Sequence, residues 1–520
     1  MAPTEQPVKN LDAYRLPTDV RPSHYDLTLR TDLEKETFAG AVKIDVQVVR
    51  PTNAISLNAA AELKLEPGFL YFPASADVVH PVTTTFDAGN QRITYHLADT
   101  LPAGTTATLE IAFSGLITDN MVGYYKSTWP KGIYALTQFE PTDARRALPC
   151  WDEPLLKAKF TVTTISKAGT VSLANMPVAT EPATSCQLTQ KLYDGVKEGT
   201  WTATKFATSP PMSTYLLAFA NGEFAYLESS YTSPISGKVR PLRIYATPDV
   251  IDQAQFCLDV TTRAVPLYEE VFDVEYPLPK LDTLVARDFD AGAMENWGLI
   301  TGRTSAMLLD PNSLDMQAKK RIAVTQSHEI AHMWFGDITT MAWWDNLYLN
   351  EGFATVMGES IILNKLFPDW KVDSEFINDI LNDALRLDAK LSSHPIEIEV
   401  PDANQINQIF DSLSYAKAAS VLRMLSEYVG EETFLKGVSI YLKKHLFANS
   451  VSRDLWDAIA EASGAFRSSC PFPPSLAHRR CRRRRAEADG PVGVQGAPPF
   501  APPRASRPSR AVRWASRCSR

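Results

Sequence analysis

The sequence predicts a multidomain chain: an all-β N-terminal domain of saddle or sandwich type, residues 1–222, followed by a mixed, mostly α domain, residues 223–465. Three observations carry that prediction. Apolar and polar side chains alternate with period two through the first 220 or so residues, the apolar spacing turns helical from Asp249, and the composition changes abruptly after Gly464. At 520 residues, 45% hydrophobic and 22% charged, the chain can build about three domains with cores of their own, which excludes a peptide-sized or disulfide-stapled scaffold.

Alternation is clearest at Val42, Ile44, Val46 and Val48, at Ile93, Tyr95 and Leu97, and at Leu109, Ile111 and Phe113. Such runs read as half-buried antiparallel strands, and Pro102 to Gly104 reads as a turn between two of them. Beyond Asp249, Ala254, Cys257, Leu258, Val265, Tyr268 and Val271 follow helical spacing, with Pro266 expected to kink or end that helix. Further helical stretches run to about Ala462. The tail, residues 466–520, holds thirteen Arg, nine Pro, two acids and no Lys. It has neither period, and it reads as disordered or as the translation of a wrong reading frame; its Arg479 to Arg485 stretch needs no more than a solvated segment to explain it.

The whole chain has 52 Lys plus Arg against 60 Asp plus Glu, a formal charge of −8, and without the tail the balance falls to about −19. An acidic body suits a soluble enzyme better than a nucleic-acid binder, which would carry a basic face, so no nucleic-acid partner is expected. The first twenty residues lack the apolar core of a signal peptide, and no run of about 18 apolar residues occurs anywhere, so a cytoplasmic chain without a membrane span is expected. Six Cys without a CxxC pair read as free thiols. The oligomeric state is not legible.

One pentapeptide concentrates the chemistry: His328-Glu329-Ile330-Ala331-His332. Residues four apart on a helix share a face, so both imidazoles can reach one ion. Zinc fits, because neutral imidazole binds it at about 2.0–2.1 Å and a catalytic site takes three protein ligands with one position left open. The third ligand should come from a following helix after the chain reverses at Gly336 and Asp337, and Glu351 is placed for this, with eighteen residues between it and His332. One zinc ion per chain is the expectation. Glu329 remains as a general base that takes a proton from the attacking water. Two His on a helix are otherwise ordinary surface or packed residues; here two of only eight His fall in the pentapeptide, and the spacing to Glu351 favours the metal.

A second cluster lies upstream in TLVARDFDAGAMENWGLITGR, where an apolar run, a glycine-flanked acidic loop and another apolar run suggest strand, turn, strand. Gly292 and Gly298 leave the backbone open to close approach, and an extended peptide could add to such an edge by main-chain hydrogen bonds. Glu295 would then be a fixed anion near the metal, able to hold the free ammonium of a substrate's first residue. Taken alone, a Glu in such a loop is an ordinary solvated turn residue.

Together, Gly292, Ala293, Met294, Glu295 and Asn296, the HEIAH pentapeptide and Glu351 resemble the gluzincin aminopeptidases, the family of aminopeptidase N and puromycin-sensitive aminopeptidase. The resemblance runs from about Leu11 to Gly464, and TQFEPTDARRALPCWDEP is most similar to the cytosolic puromycin-sensitive and fungal alanine/arginine branch. It implies a thermolysin-like zinc peptidase domain and removal of the first residue from peptides with a free N-terminus. It further implies His328, His332 and Glu351 as zinc ligands, Glu329 as base, and residues 292–296 with Gln138 and Glu140 as substrate contacts. Tyr415 matches the tyrosine that donates a hydrogen bond to the oxyanion of the tetrahedral intermediate, and Phe410 a residue lining the first side chain's pocket. Family members continue with a helical capping domain, in many cases after a small β domain, and neither is expected here. That leaves two alternatives: a catalytically impaired zinc-binding fragment acting only as a peptide-binding module, and a leukotriene-hydrolase-like bifunctional enzyme.

Overall fold

The computed structural model describes residues 14–196 and 199–464; the Arg-rich tail lies outside the described residues. Each alternating run is a strand. Thr37–Val48 pairs antiparallel with Thr106–Leu116, setting Val42 opposite Ile111 and Ile44 opposite Leu109, and these four side chains are fully buried. Both strands belong to an eight-stranded sheet. Its pairing departs from the expected antiparallel pattern at one point: Val20–Asp32 runs parallel to Lys159–Lys167, with Leu27 opposite Val162. A parallel partner needs a long crossover, here residues 33–158, and local alternation carries no trace of it.

Ile93, Tyr95 and Leu97 point into the core from Arg92–Leu101, in a three-stranded sheet with Thr52–Asn58 and Thr83–Asp87. A four-stranded sheet contains Gly123–Trp129, Gly132–Gln138, Phe219–Gly222 and Val171–Ala174. The Tyr124 ring joins it to the large sheet, meeting Phe38 edge-on at 5.6 Å and Phe219 at 5.0 Å. Gly132–Gln138 delivers Gln138 and Glu140 from this layer toward the second half of the molecule.

A five-stranded sheet then runs Ala225–Thr232, Val239–Ala246, Leu281–Ala286, Leu299–Arg303, Ala293–Met294. The strand, turn, strand reading of the acidic loop holds with one difference. The two longer strands are parallel neighbours, and the antiparallel turn is made by Ala293–Met294 folding back on Leu299–Arg303. Ala293–Met294 is thereby the edge of the sheet.

Helix Gln255–Phe272 does not end at Pro266 but continues to Phe272. Val260, Ala264 and Val265 are buried on one side of the proline and Tyr268 and Phe272 on the other, with Tyr268 stacked on Trp334 at 5.6 Å. Packing on both sides outweighs the one backbone bond the proline removes. Helix Met316–His332 starts where the Asp315 side chain accepts from the backbone N–H groups of Gln317 and Ala318. Helices Tyr348–Val356, Ala418–Val429, Glu431–Lys444 and Ser452–Ala462 follow, and one hydrophobic core extends through both halves. Cys150, Cys186 and Cys257 are free thiols. No helix among the described residues is long and apolar enough to cross a membrane.

Candidate metal centre and substrate cavity

His328 and His332 leave one face of helix Met316–His332 with their Nε2 atoms 3.0 Å apart. Glu351, in the first turn of helix Tyr348–Val356, sets Oε2 3.2 Å from each of those nitrogens. Three ligand atoms held about 2.0–2.1 Å from one tetrahedral ion stand about 3.3 Å from one another. The donor set fits zinc in type and in spacing. His332 donates its Nδ1–H to the Phe335 carbonyl at 2.9 Å, which fixes the tautomer and leaves Nε2 with a free lone pair. Burial opposes the charge on Glu351, but the protonated forms of His332 and His328 outweigh it and hold the carboxyl down at about 2. The third donor is an anion.

Glu329 is buried beside the triangle. Burial pushes its carboxyl up to about 8, against the opposing pull of His328 and His332.

A cavity of about 620 Å³ opens over these groups, and Gln138, Glu140, Gly292, Ala293, Met294, Glu295, Phe410 and Tyr415 line it. Carboxylate oxygens of Glu140, Glu295 and Glu351 lie within 4.8 Å of one another. Oε1 of Gln138, of Glu140 and of Glu295 is each buried without a hydrogen-bond partner among the described residues. Three orphan acceptors converging in one place match a ligand made of N–H donors and carrying positive charge. Burial, then the neighbouring Glu295 and Glu351, raises the Glu140 carboxyl well above its ordinary value, so a cation there relieves repulsion already built into the site.

The acidic loop is held from behind. Asn175 donates to the Trp297 carbonyl at 3.0 Å and Lys280 to the Gly298 carbonyl at 2.6 Å. Gly298 has φ +80°, and a Cβ there would lie 2.5 Å from the Asn175 carbonyl oxygen, so only glycine fits. Around Gly292 the space is open. Asn296 is the one residue of the 292–296 group that does not line the cavity; it is fully buried and donates to Thr301 at 2.6 Å.

Tyr415 sits on the π-helical turn Leu413–Lys417, its ring stacked on His328 at 6.2 Å. Burial, followed by Glu351 and Glu140, raises its hydroxyl well above the ordinary tyrosine value, which keeps it a hydrogen-bond donor. Sequence reasoning did not single out Tyr215, Asn350 or Glu359. Glu359 lines the cavity and sets Oε1 3.7 Å from His328 Nδ1; it lies on the π-helical turn Met357–Ile361, a register that ordinary helical spacing does not anticipate.

Two family models match the chain: the M1 N-terminal domain over residues 21–216 and the peptidase family M1 domain over residues 256–470. Among similar proteins, the alanine/arginine aminopeptidase of Saccharomyces cerevisiae is 42% identical over 461 residues, covering 86% of this chain and 50% of the relative. Aminopeptidase 2, mitochondrial, of the same yeast is 41% identical over 462 residues, 86% of this chain and 45% of the relative. The puromycin-sensitive aminopeptidase of Caenorhabditis elegans is 38% identical over 469 residues, 89% of this chain and 47% of the relative. All three carry aminopeptidase names. The chain spans about half the length of the curated relatives it matches. With one model matching each half of the described molecule, the chain belongs to the peptidase M1 family.

Proposed function

We propose that this chain is a zinc metallo-aminopeptidase that hydrolyses the first peptide bond of peptides with a free N-terminus. The observation that carries the reading is the meeting of the His328, His332 and Glu351 triangle with the orphan acceptors of Gln138, Glu140 and Glu295 in one cavity. His328, His332 and Glu351 would hold one zinc ion, which when bound supplies a Lewis acid for a carbonyl and lowers the pKa of water.

The chain's own groups divide the remaining work. Glu140 and Glu295 bind the substrate's ammonium and so measure one residue back from the metal. The edge Ala293–Met294 takes the substrate backbone in an extended form. Glu329 removes a proton from the attacking water and returns it to the leaving amine, and the Tyr415 hydroxyl donates to the developing oxyanion. Phe410 lines the pocket for the first side chain. Asn296 acts through the loop it braces.

The same reading assigns residues 1–222 to an N-terminal β domain and 223–465 to the catalytic domain, supported by the passage from one sheet to another between Gly222 and Ala225. A cytoplasmic location is part of the proposal, and fractionation of cells producing the chain tests it. Cleavage of an alanyl anilide against its N-acetyl counterpart tests the activity: only the free amine should be hydrolysed, and equal rates would exclude an exopeptidase.

A further inference from the structure

Tyr215 lies in the N-terminal half and takes no part in the chemistry above. Its ring is fully buried, edge-on to Trp344 at 5.4 Å. Its hydroxyl makes two hydrogen bonds, both to the other half of the molecule: it donates to the Gly336 carbonyl at 3.2 Å and accepts from Asn350 Nδ2 at 3.1 Å. Those partners belong to the two segments that carry the metal-ligating side chains.

Gly336 sits in the turn by which the chain leaves helix Met316–His332, next to Phe335, whose carbonyl takes the Nδ1–H of His332. Space is tight there, since a Cβ on residue 336 would lie 3.2 Å from Asn350 Nδ2 and 3.5 Å from His332 Nδ1. Asn350 directly precedes Glu351 on helix Tyr348–Val356. Lys157, also from the N-terminal half, donates to the Asp337 and Ile338 carbonyls, each at 3.1 Å. Three consecutive residues of the turn are thus held from the N-terminal side.

We infer that Tyr215 is a positioning residue for the metal centre, its hydroxyl coupling the turn that orients His332 to the helix that carries Glu351. The inference rests on the reading that His328, His332 and Glu351 hold zinc. A ligand's affinity for an ion depends on how far its orientation is set in advance, and loss of an outer partner of this kind costs about 10–100-fold in metal affinity. Gly336 O also accepts from Thr340 Oγ1, so without the Tyr215 hydroxyl that carbonyl keeps a partner. Asn350 Nδ2 has no other acceptor among the described residues, and that loss falls beside Glu351.

The test is the zinc dissociation constant of the full chain, measured by competition with a fluorescent chelator for the wild type, Tyr215→Phe, Asn350→Ala and the double variant. Each single variant should bind zinc about ten-fold more weakly, and the double variant no more weakly than the worse single one, because both cut the same bridge. Thermal unfolding of the zinc-free proteins, measured alongside, separates packing from coordination. A lower Tm with an unchanged zinc constant would overturn the inference, as would losses that simply add. Should Tyr215→Phe fail to fold, Asn350→Ala decides alone, and an unchanged zinc constant there overturns it. A His332→Ala chain that binds zinc as the wild type does would instead remove the metal reading, and this inference with it.

Discussion

The Nε2 atoms of His328 and His332 stand 3.0 Å apart, both within 3.2 Å of one oxygen of Glu351. Three donors held that close in a buried site repel or share protons unless a cation joins them. His332→Ala should therefore reduce bound zinc from about one ion per chain to near zero, read by atomic emission after gel filtration. Retention of a full equivalent would contradict the assignment.

Glu329 belongs to the same helix but lies outside the triangle. Glu329→Gln should keep its zinc and lose activity by about 10²–10⁴-fold, the usual contribution of a positioned general base. Loss of zinc together with activity would make Glu329 a ligand or a structural group instead.

Glu140 and Glu295 each hold a buried oxygen without a hydrogen-bond partner among the described residues. Their replacement by Gln removes charge while preserving shape, and a charge-assisted hydrogen bond is worth about 1.5–3 kcal/mol. Each variant should lower kcat/KM on alanyl anilide by about ten- to a hundred-fold, mostly through KM. An effect on kcat alone would place these groups at the reacting bond rather than at the amine.

Gly298 is the backbone position with least tolerance in the acidic loop, by its φ of +80° and the 2.5 Å approach of the Asn175 carbonyl. Gly298→Ala should cost about 1–3 kcal/mol from the dihedral alone, with the backbone clash added. A denaturation midpoint equal to that of the wild type would show that the loop can re-form elsewhere.

Lys157 carries a pH dependence. Burial pushes its ammonium down to about 7, with Asp337 pulling the other way. Between pH 7 and the ordinary lysine value near 10.5, the unfolded chain holds a proton that the folded chain lacks. This group's contribution to stability therefore rises with pH through that window. The Tm of the wild type should improve relative to Lys157→Met between about pH 7 and pH 9, and parallel curves would contradict the burial argument.

How much of this is legible in the sequence follows from the range of the contacts. His328, His332 and Glu351 lie on consecutive segments joined by a short reversal, so their convergence can be read from spacing. Val42, Ile44, Leu109 and Ile111 announce their strands because alternation is local. The parallel pairing of Val20–Asp32 with Lys159–Lys167 joins segments far apart in the chain, and the bonds of Tyr215 and Lys157 to the turn at 336–338 do the same. Nothing in their neighbours' sequence marks them. Gln138 ends an ordinary strand and Glu140 lies in the turn just beyond it, and only the resemblance to a family marks them. Pro266 does not end its helix because residues on both sides of it are packed in the core, and Glu359 and Tyr415 stand on π-helical turns that helical spacing does not foresee.

The most direct test of the whole account sets the full chain beside Glu329→Gln, with bound zinc and hydrolysis of alanyl anilide and N-acetyl-alanyl anilide measured on both. The account predicts one zinc ion in each protein, hydrolysis of the free-amine substrate by the wild type alone, and no cleavage of the acetylated one. Zinc in both proteins with turnover in neither, or cleavage of both substrates at one rate, would contradict it.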